Sequence, residues 1–63
     1  MTKVKWIEIG KVALGDTVQL RGTWVQVLSV SKVSGGNIAV QGESEEGELL
    51  TYVDEPSAMV RKG

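Results

Sequence analysis

The chain has 63 residues, a net charge of −1 at pH 7, and neither cysteine nor histidine. A chain of this length has room for one core, and it buries only about 60% of the surface that it exposes when unfolded. Without cysteine or histidine it has no disulfides, no usual zinc or iron–sulfur ligands and no histidine base for a nucleophile, so the composition predicts a protein with no metal, no cofactor and no catalytic activity.

Charge is divided unevenly along the chain. Residues 1–34 have a balance of +3 and residues 35–63 a balance of −4. A duplex-binding domain is normally far more basic, because its affinity comes largely from neutralised phosphates. The charge therefore disfavours a general nucleic-acid binder and leaves room for a small basic patch.

The first ten residues contain no long apolar run, because Glu8 and Gly10 interrupt it. We therefore expect no signal peptide and no membrane span. The lack of cysteine fits a reducing compartment, so a cytoplasmic location is expected.

Taken in chain order, alternating apolar residues predict strands, and no helical spacing is present. The first strand covers residues 3–9 and ends at Gly10. Its apolar parity changes after Trp6, which indicates a bulge or a strand covered on both faces. Val12 and Leu14 are expected to close one end of the barrel.

Five further strands follow the first. The strands are predicted at 17–21, 24–32, 38–41, 49–53 and 58–61, with turns at 15–16, 22–23, 34–37, 42–47 and 54–57. A parity change after Val27 predicts a bend in the third of these six strands, which is how a small barrel closes on itself. Turn signals every 8–12 residues or so are typical of such folds. The sequence predicts one all-β domain over residues 1–63, a five- to six-stranded SH3-like barrel.

The segment 14–30, LGDTVQLRGTWVQVLSV, carries a recognisable pattern. It resembles the core of SH3-like barrels, including the KOW type of ribosomal and transcription-factor domains. It is also similar to short orphan proteins of actinobacterial bacteriophages. The first resemblance implies the barrel fold and allows a nucleic-acid partner, although the later loops are acidic where KOW loops are typically basic. The second implies a phage accessory or host-modulating protein.

Several side chains suit a partner-binding surface, because tryptophan, tyrosine and arginine often dominate binding energy. The candidates are Trp6, Arg21, Trp24, Lys32, Leu50 and Tyr52. In the fifth strand, alternation places Leu50 and Tyr52 on one face and Leu49 and Val53 on the other. One of these pairs must lie outside the core, and we expect Leu50 and Tyr52 at a seam between subunits. Each tryptophan belongs either to the core or to an interface.

A basic patch beside Trp24 is a further possibility. Arg21 and Lys32, with Lys3 and Lys5, would form it and would suit single-stranded nucleic acid, which binds through stacking and phosphate contacts. The glutamates of residues 43–48 are interpreted as a solvated turn; the alternative is a decoy surface or a contact for a basic partner.

Several functions remain open. The first is a non-catalytic, homo-oligomeric module that binds a protein partner. The second is a KOW-like barrel that binds nucleic acid. The third is a binder of a small ligand, such as a nucleotide, in pockets between subunits. A virion component is a fourth, and no residue separates it from the first.

Overall fold

The computed structural model describes residues 4–63, which form one antiparallel sheet with the strand order β1-β6-β2-β3-β4-β5. The strands are β1 (Lys5–Glu8), β2 (Thr17–Leu20), β3 (Thr23–Lys32), β4 (Ile38–Ser44), β5 (Leu49–Asp54) and β6 (Met59–Lys62). Two 3-10 helices of three residues follow β1 and β3, at Ile9–Lys11 and Ser34–Gly36. The predicted all-β, six-stranded architecture is confirmed.

The core lies on the inner face of the curled sheet. Its buried apolar residues are Ile9, Val12, Val18, Leu20, Val25, Val27, Ile38, Val40 and Val60. Most of them are β-branched, and such side chains pack well on a pleated surface. Alternation in β2 and β3 places every second residue inside, which leaves the residues between them on the outer face.

A bulge at Leu28 bends β3. Val27 lies opposite Gly42 and Ser29 lies opposite Gln41, so Leu28 is the extra residue in the pairing with β4. An extra residue reverses the inside–outside alternation and increases the local twist. Val25 and Val27 therefore point inward before the bulge and Val30 after it, which confirms the parity change predicted from the sequence.

Gly42 allows β3 and β4 to approach closely at this bend. A Cβ atom at position 42 would lie 2.5 Å from Cγ2 and 2.8 Å from Cβ of Val25. Real side chains do not tolerate such distances, and Val25 is itself buried and cannot move away. The close approach therefore requires glycine.

The β2–β3 hairpin turns at Arg21-Gly22, one residue before the predicted reversal at 22–23. Both residues have positive φ, 51° and 84°. Two such residues make a type I′ turn, whose twist matches that of the flanking strands. Arg21 thus belongs to the turn and not to the strand.

The end of the barrel is closed differently from the prediction. Val12 is buried as expected, but Leu14 is 67% exposed. The carboxylate of Asp16 accepts a hydrogen bond from the Ala13 N–H at 2.9 Å, which folds residues 13–16 into a turn on the surface. Ile9 is fully buried, and its N–H donates to the Ala58 carbonyl at 2.7 Å, so Ile9 closes the end together with Val12.

The observed strand boundaries differ most from the predicted ones where a strand includes polar residues. β4 continues past residue 41 to Ser44, which is buried and whose hydroxyl accepts a hydrogen bond from the Glu48 N–H at 3.2 Å. The acidic turn is therefore shorter than predicted. β1 covers only Lys5–Glu8, and Lys3 lies outside the described residues. Within residues 4–63, no helix has the length and apolar character needed to cross a membrane.

Replacing Gly42 tests the close approach of β3 and β4. We expect Gly42→Ala to lower the free energy of unfolding by about 1–3 kcal/mol, the usual cost of overpacking a core. Urea denaturation followed by tryptophan fluorescence measures this change. Gln41→Ala, on the other face of the same strand, is the control and should shift stability by about 0.5 kcal/mol or less. Equal stability of wild type and Gly42→Ala would contradict the proposed crowding.

Candidate functional site

Four side chains form one row across the outer face of β1, β6, β2 and β3. Trp6 lies opposite Arg61, Arg61 opposite Gln19, and Gln19 opposite Trp24. Opposed residues in an antiparallel sheet point to the same face, and neighbouring strands lie about 4.8 Å apart. The two tryptophans are therefore roughly 14 Å apart at their Cα atoms. We call this set the tryptophan row.

The row lies outside because its sequence neighbours lie inside. Val18 and Leu20 flank Gln19, and Val25 and Val60 adjoin Trp24 and Arg61; all four are buried. In a strand, the residue next to a buried one points to the opposite face. Trp6 is 60% exposed and Trp24 is half-buried, so neither tryptophan belongs to the core.

Arg61 covers one of the tryptophans. Its guanidinium carbon lies 5.2 Å from the centre of the Trp6 ring. A cation–π contact at an exposed site is worth about 0.5–1 kcal/mol, which limits the motion of both side chains. Met59, which is exposed, lies beside this pair and opposite Glu8 on the same face. This end of the row is therefore an exposed apolar surface that carries a positive charge.

Trp24 lies among three open grooves at the other end of the row. The largest has a volume of about 520 Å³ and is lined by Val4, Thr17, Trp24, Glu45 and Gly63. A Cβ atom at Gly63 would lie 3.5 Å from Cζ3 of Trp24, so the edge of the indole lies beside this glycine. The two smaller grooves add Glu43 and Glu46 to the surroundings of Trp24.

Within residues 4–63, no basic patch forms beside Trp24; Lys3, one of its predicted members, lies outside the described residues. The charged residues of this range that line the three grooves are Glu43, Glu45 and Glu46. Arg21 lies in the turn before β3, whereas Lys32 is the last residue of that ten-residue strand. Lys5, in β1, lies opposite Lys62 of β6. Arg21, Lys32 and Lys5 therefore lie in different parts of the sheet and do not form one patch beside Trp24.

The faces of β5 are the reverse of the expected ones. Leu50 and Tyr52 pack partly against the core, opposite Gly42 and Val40. Leu49 and Val53 are the exposed pair, at 60% and 47%. Alternation separates the two faces of a strand, but it does not say which one covers the core. The register of β5 on β4 decides this point.

Tyr52 takes part in a small polar cluster on β5. Its hydroxyl donates a hydrogen bond to Oδ2 of Asp54 at 2.6 Å, and the Glu55 N–H donates to Oδ1 at 2.8 Å. The Tyr52 hydrogen bond is the main reason that the pKa of Asp54 is lowered and the pKa of Tyr52 is raised. The guanidinium carbon of Arg21 lies 5.7 Å from the centre of the Tyr52 ring.

Two residues of the tryptophan row, Gln19 and Arg61, were not among the sequence candidates. Each follows a valine that alternation places inside. This alternation was the available signal that the side chains of Gln19 and Arg61 point outward. Their pairing with one another depends on β6 lying beside β2, a long-range contact that local patterns do not encode. In residues 4–63, no cluster of acidic side chains is arranged to hold a metal ion.

The Tyr52–Asp54 hydrogen bond predicts a pH dependence. Because the pKa of folded Asp54 is lowered, its contribution to stability is present above about pH 4, the pKa of an unperturbed aspartate, and is lost as the pH falls through the folded value. In Tyr52→Phe, the pKa of Asp54 should move up toward its ordinary value. An NMR titration of the Asp54 carboxyl carbon measures this shift, with Thr51→Val as a neighbouring control. An unchanged titration in Tyr52→Phe would contradict the assignment.

No protein-family model matches the chain, and no curated protein matches it significantly. Among solved structures, it is similar to eukaryotic translation initiation factor 5A from Methanococcus jannaschii, with a TM-score of 0.76 and 26% sequence identity. The match covers 97% of this chain and 51% of that one, so the chain spans about half the length of the factor. The likeness supports a small all-β fold.

Proposed function

We propose that this protein is a non-catalytic interaction module that binds a partner protein through the tryptophan row. The observation that carries the proposal is the row itself, in which Trp6, Arg61 and Trp24 lie on one exposed face. Tryptophan and arginine are enriched among the residues that dominate binding energy at protein interfaces. An exposed outer sheet face with shallow, open grooves and such side chains suits a protein better than a small molecule, which prefers an enclosed pocket.

The charges along the row also favour a protein partner. Arg61 lies toward one end, and Glu43, Glu45 and Glu46 surround Trp24 at the other. A phosphate backbone laid along the row would meet these glutamates, whereas a protein can present charges of both signs. The same glutamates disfavour a nucleotide as ligand.

Single-stranded RNA is the second candidate. Two observations favour it: the likeness to a translation initiation factor, and the presence of aromatic and arginine side chains in one row. Bases stack on aromatic side chains, and arginine adds cation–π contacts. A bacteriophage origin and a host-directed role rest on the resemblance of residues 14–30, and a cytoplasmic location rests on the absence of cysteine.

Removing both tryptophans tests the proposal. We compare affinity capture from a cell lysate by wild type, by Trp6→Ala/Trp24→Ala, and by Leu14→Ala, whose exposed side chain lines none of the grooves at Trp24. Captured proteins should fall by about tenfold or more with the double variant, since hot-spot residues each contribute about 2 kcal/mol or more. They should be retained by Leu14→Ala. Circular dichroism verifies that each variant is folded.

Two outcomes would contradict a protein partner at this face. One is equal capture by wild type and the double variant. The other is binding of a fluorescent single-stranded oligonucleotide that weakens steeply with added salt, as phosphate contacts do, and that is lost in the double variant. The second outcome would establish the RNA alternative.

We also propose that the protein forms homo-oligomers, and the edge strand β5 supports this. Within residues 4–63, β5 pairs only with β4, so its other edge is open. An open edge of apolar residues is a template for pairing with another strand. In an antiparallel pair of two copies centred on Thr51, Leu49 lies opposite Val53 on the outer face and Leu50 lies opposite Tyr52 on the inner one. The strand is therefore complementary to itself.

Light scattering over a range of concentrations tests this association. We expect wild type to exceed the 6.8 kDa of one chain and Val53→Lys to remain monomeric, because a lysine at an edge opposes pairing. Val33→Lys, an exposed valine after β3, should behave like wild type. The pairing also brings Glu48 opposite Asp54, so added salt should strengthen it by screening like charges. A wild type that is monomeric at all concentrations would refute it.

A further inference from the structure

The three aromatic side chains of the chain are Trp6, Trp24 and Tyr52, and it has only two arginines. Arg61 lies over Trp6 and Arg21 lies over Tyr52. In the part of the chain that the structure describes, no cation–π contact involves Trp24. Both arginines are therefore engaged, and Trp24 is the aromatic ring without one.

In the described residues, the charged side chains beside Trp24 are acidic, whereas an arginine lies over each of the other two rings. Three exposed glutamates, Glu43, Glu45 and Glu46, line the grooves beside it. The largest groove adds apolar contacts from Val4 and from the methyl group of Thr17. An indole face, an apolar wall and a carboxylate rim thus lie together on an exposed surface.

This combination matches the side chain of arginine. A guanidinium stacks on an aromatic face and at the same time donates hydrogen bonds to carboxylates in its own plane. Its methylene groups cover apolar surface while the charged end stays near water. Lysine can supply the charge, but it lacks the planar group that stacks and pairs in two directions at once.

We propose that the groove at Trp24 binds an arginine from a basic, extended segment of a partner protein. This inference rests on the proposed function and specifies the chemistry of its partner. A second copy of the chain fits less well, because its arginines are already stacked on Trp6 and Tyr52, and its Lys62 lies 3.6 Å from the carboxylate of Asp16. RNA is opposed by the three glutamates.

A fluorescence titration tests the inference. Trp6→Phe leaves Trp24 as the single tryptophan, and the probes are acetylated, amidated peptides of glycine with two arginines, two lysines or two citrullines. We expect the arginine peptide to change Trp24 emission in a saturable way, with a dissociation constant on the order of a millimolar or below. The lysine peptide should bind several-fold more weakly. The uncharged citrulline peptide, of nearly the same shape, should bind about tenfold more weakly or not at all.

Charge-matched variants locate the binding. Glu45→Gln and Glu43→Gln, in the Trp6→Phe background, should each weaken the arginine peptide by about threefold to tenfold. Glu55→Gln removes the same charge in the turn after β5 and should leave binding unchanged. None of these exposed residues contributes to the core, so the variants should remain folded. NMR shifts on adding the peptide should be confined to the surroundings of Trp24.

Four results of the peptide titrations would overturn the inference. These are no response to the arginine peptide, equal binding of the citrulline peptide, a loss in Glu55→Gln equal to that in Glu45→Gln, and displacement of the peptide from Trp24 by an oligonucleotide. Self-association that is lost in Trp24→Phe would also overturn it, since a second copy would then occupy the groove. If the peptide fails but the double tryptophan variant still loses its captured proteins, the proposed function stands and only the arginine partner is wrong.

Discussion

The structure depends on the bend of β3 at Leu28. One long strand pairs with β2 on one side and with β4 on the other, and the extra residue lets its apolar face stay inside through the curve. Gly42 lies opposite the bend, where a side chain would collide with Val25. Without the bend and the close approach, the aliphatic residues on the two halves of the sheet would not meet. A chain of this size has no second core to compensate.

The inner face is filled by aliphatic side chains, and this has a consequence for the outside. Their neighbours along the strands, including both tryptophans, lie on the outer face, where alternation and strand order bring the tryptophans into a row with Gln19 and Arg61. The row is electrically uneven: an arginine covers Trp6, and glutamates surround Trp24. A small sheet thus presents two different aromatic positions to a partner.

The likeness to half of a translation initiation factor describes how the chain folds. Barrels of this kind carry many unrelated functions, so the function must be derived from side chains on the surface. We propose that the acidic surroundings of Trp24 disfavour RNA at this position. We also propose that the open edge of β5, with Leu49 and Val53, mediates self-association at a second surface, separate from the tryptophan row.

The sequence by itself determined the fold class, the number of strands, the bend after Val27 and the shortage of catalytic side chains, because these follow from local alternation, turn residues and composition. It also selected both tryptophans as candidates. Only the tertiary structure decided that Arg61 lies over Trp6, that glutamates replace the expected basic patch at Trp24, and that Leu49 and Val53 face outward instead of Leu50 and Tyr52. These facts depend on which strands are neighbours and in what register, and residues far apart in the chain set both.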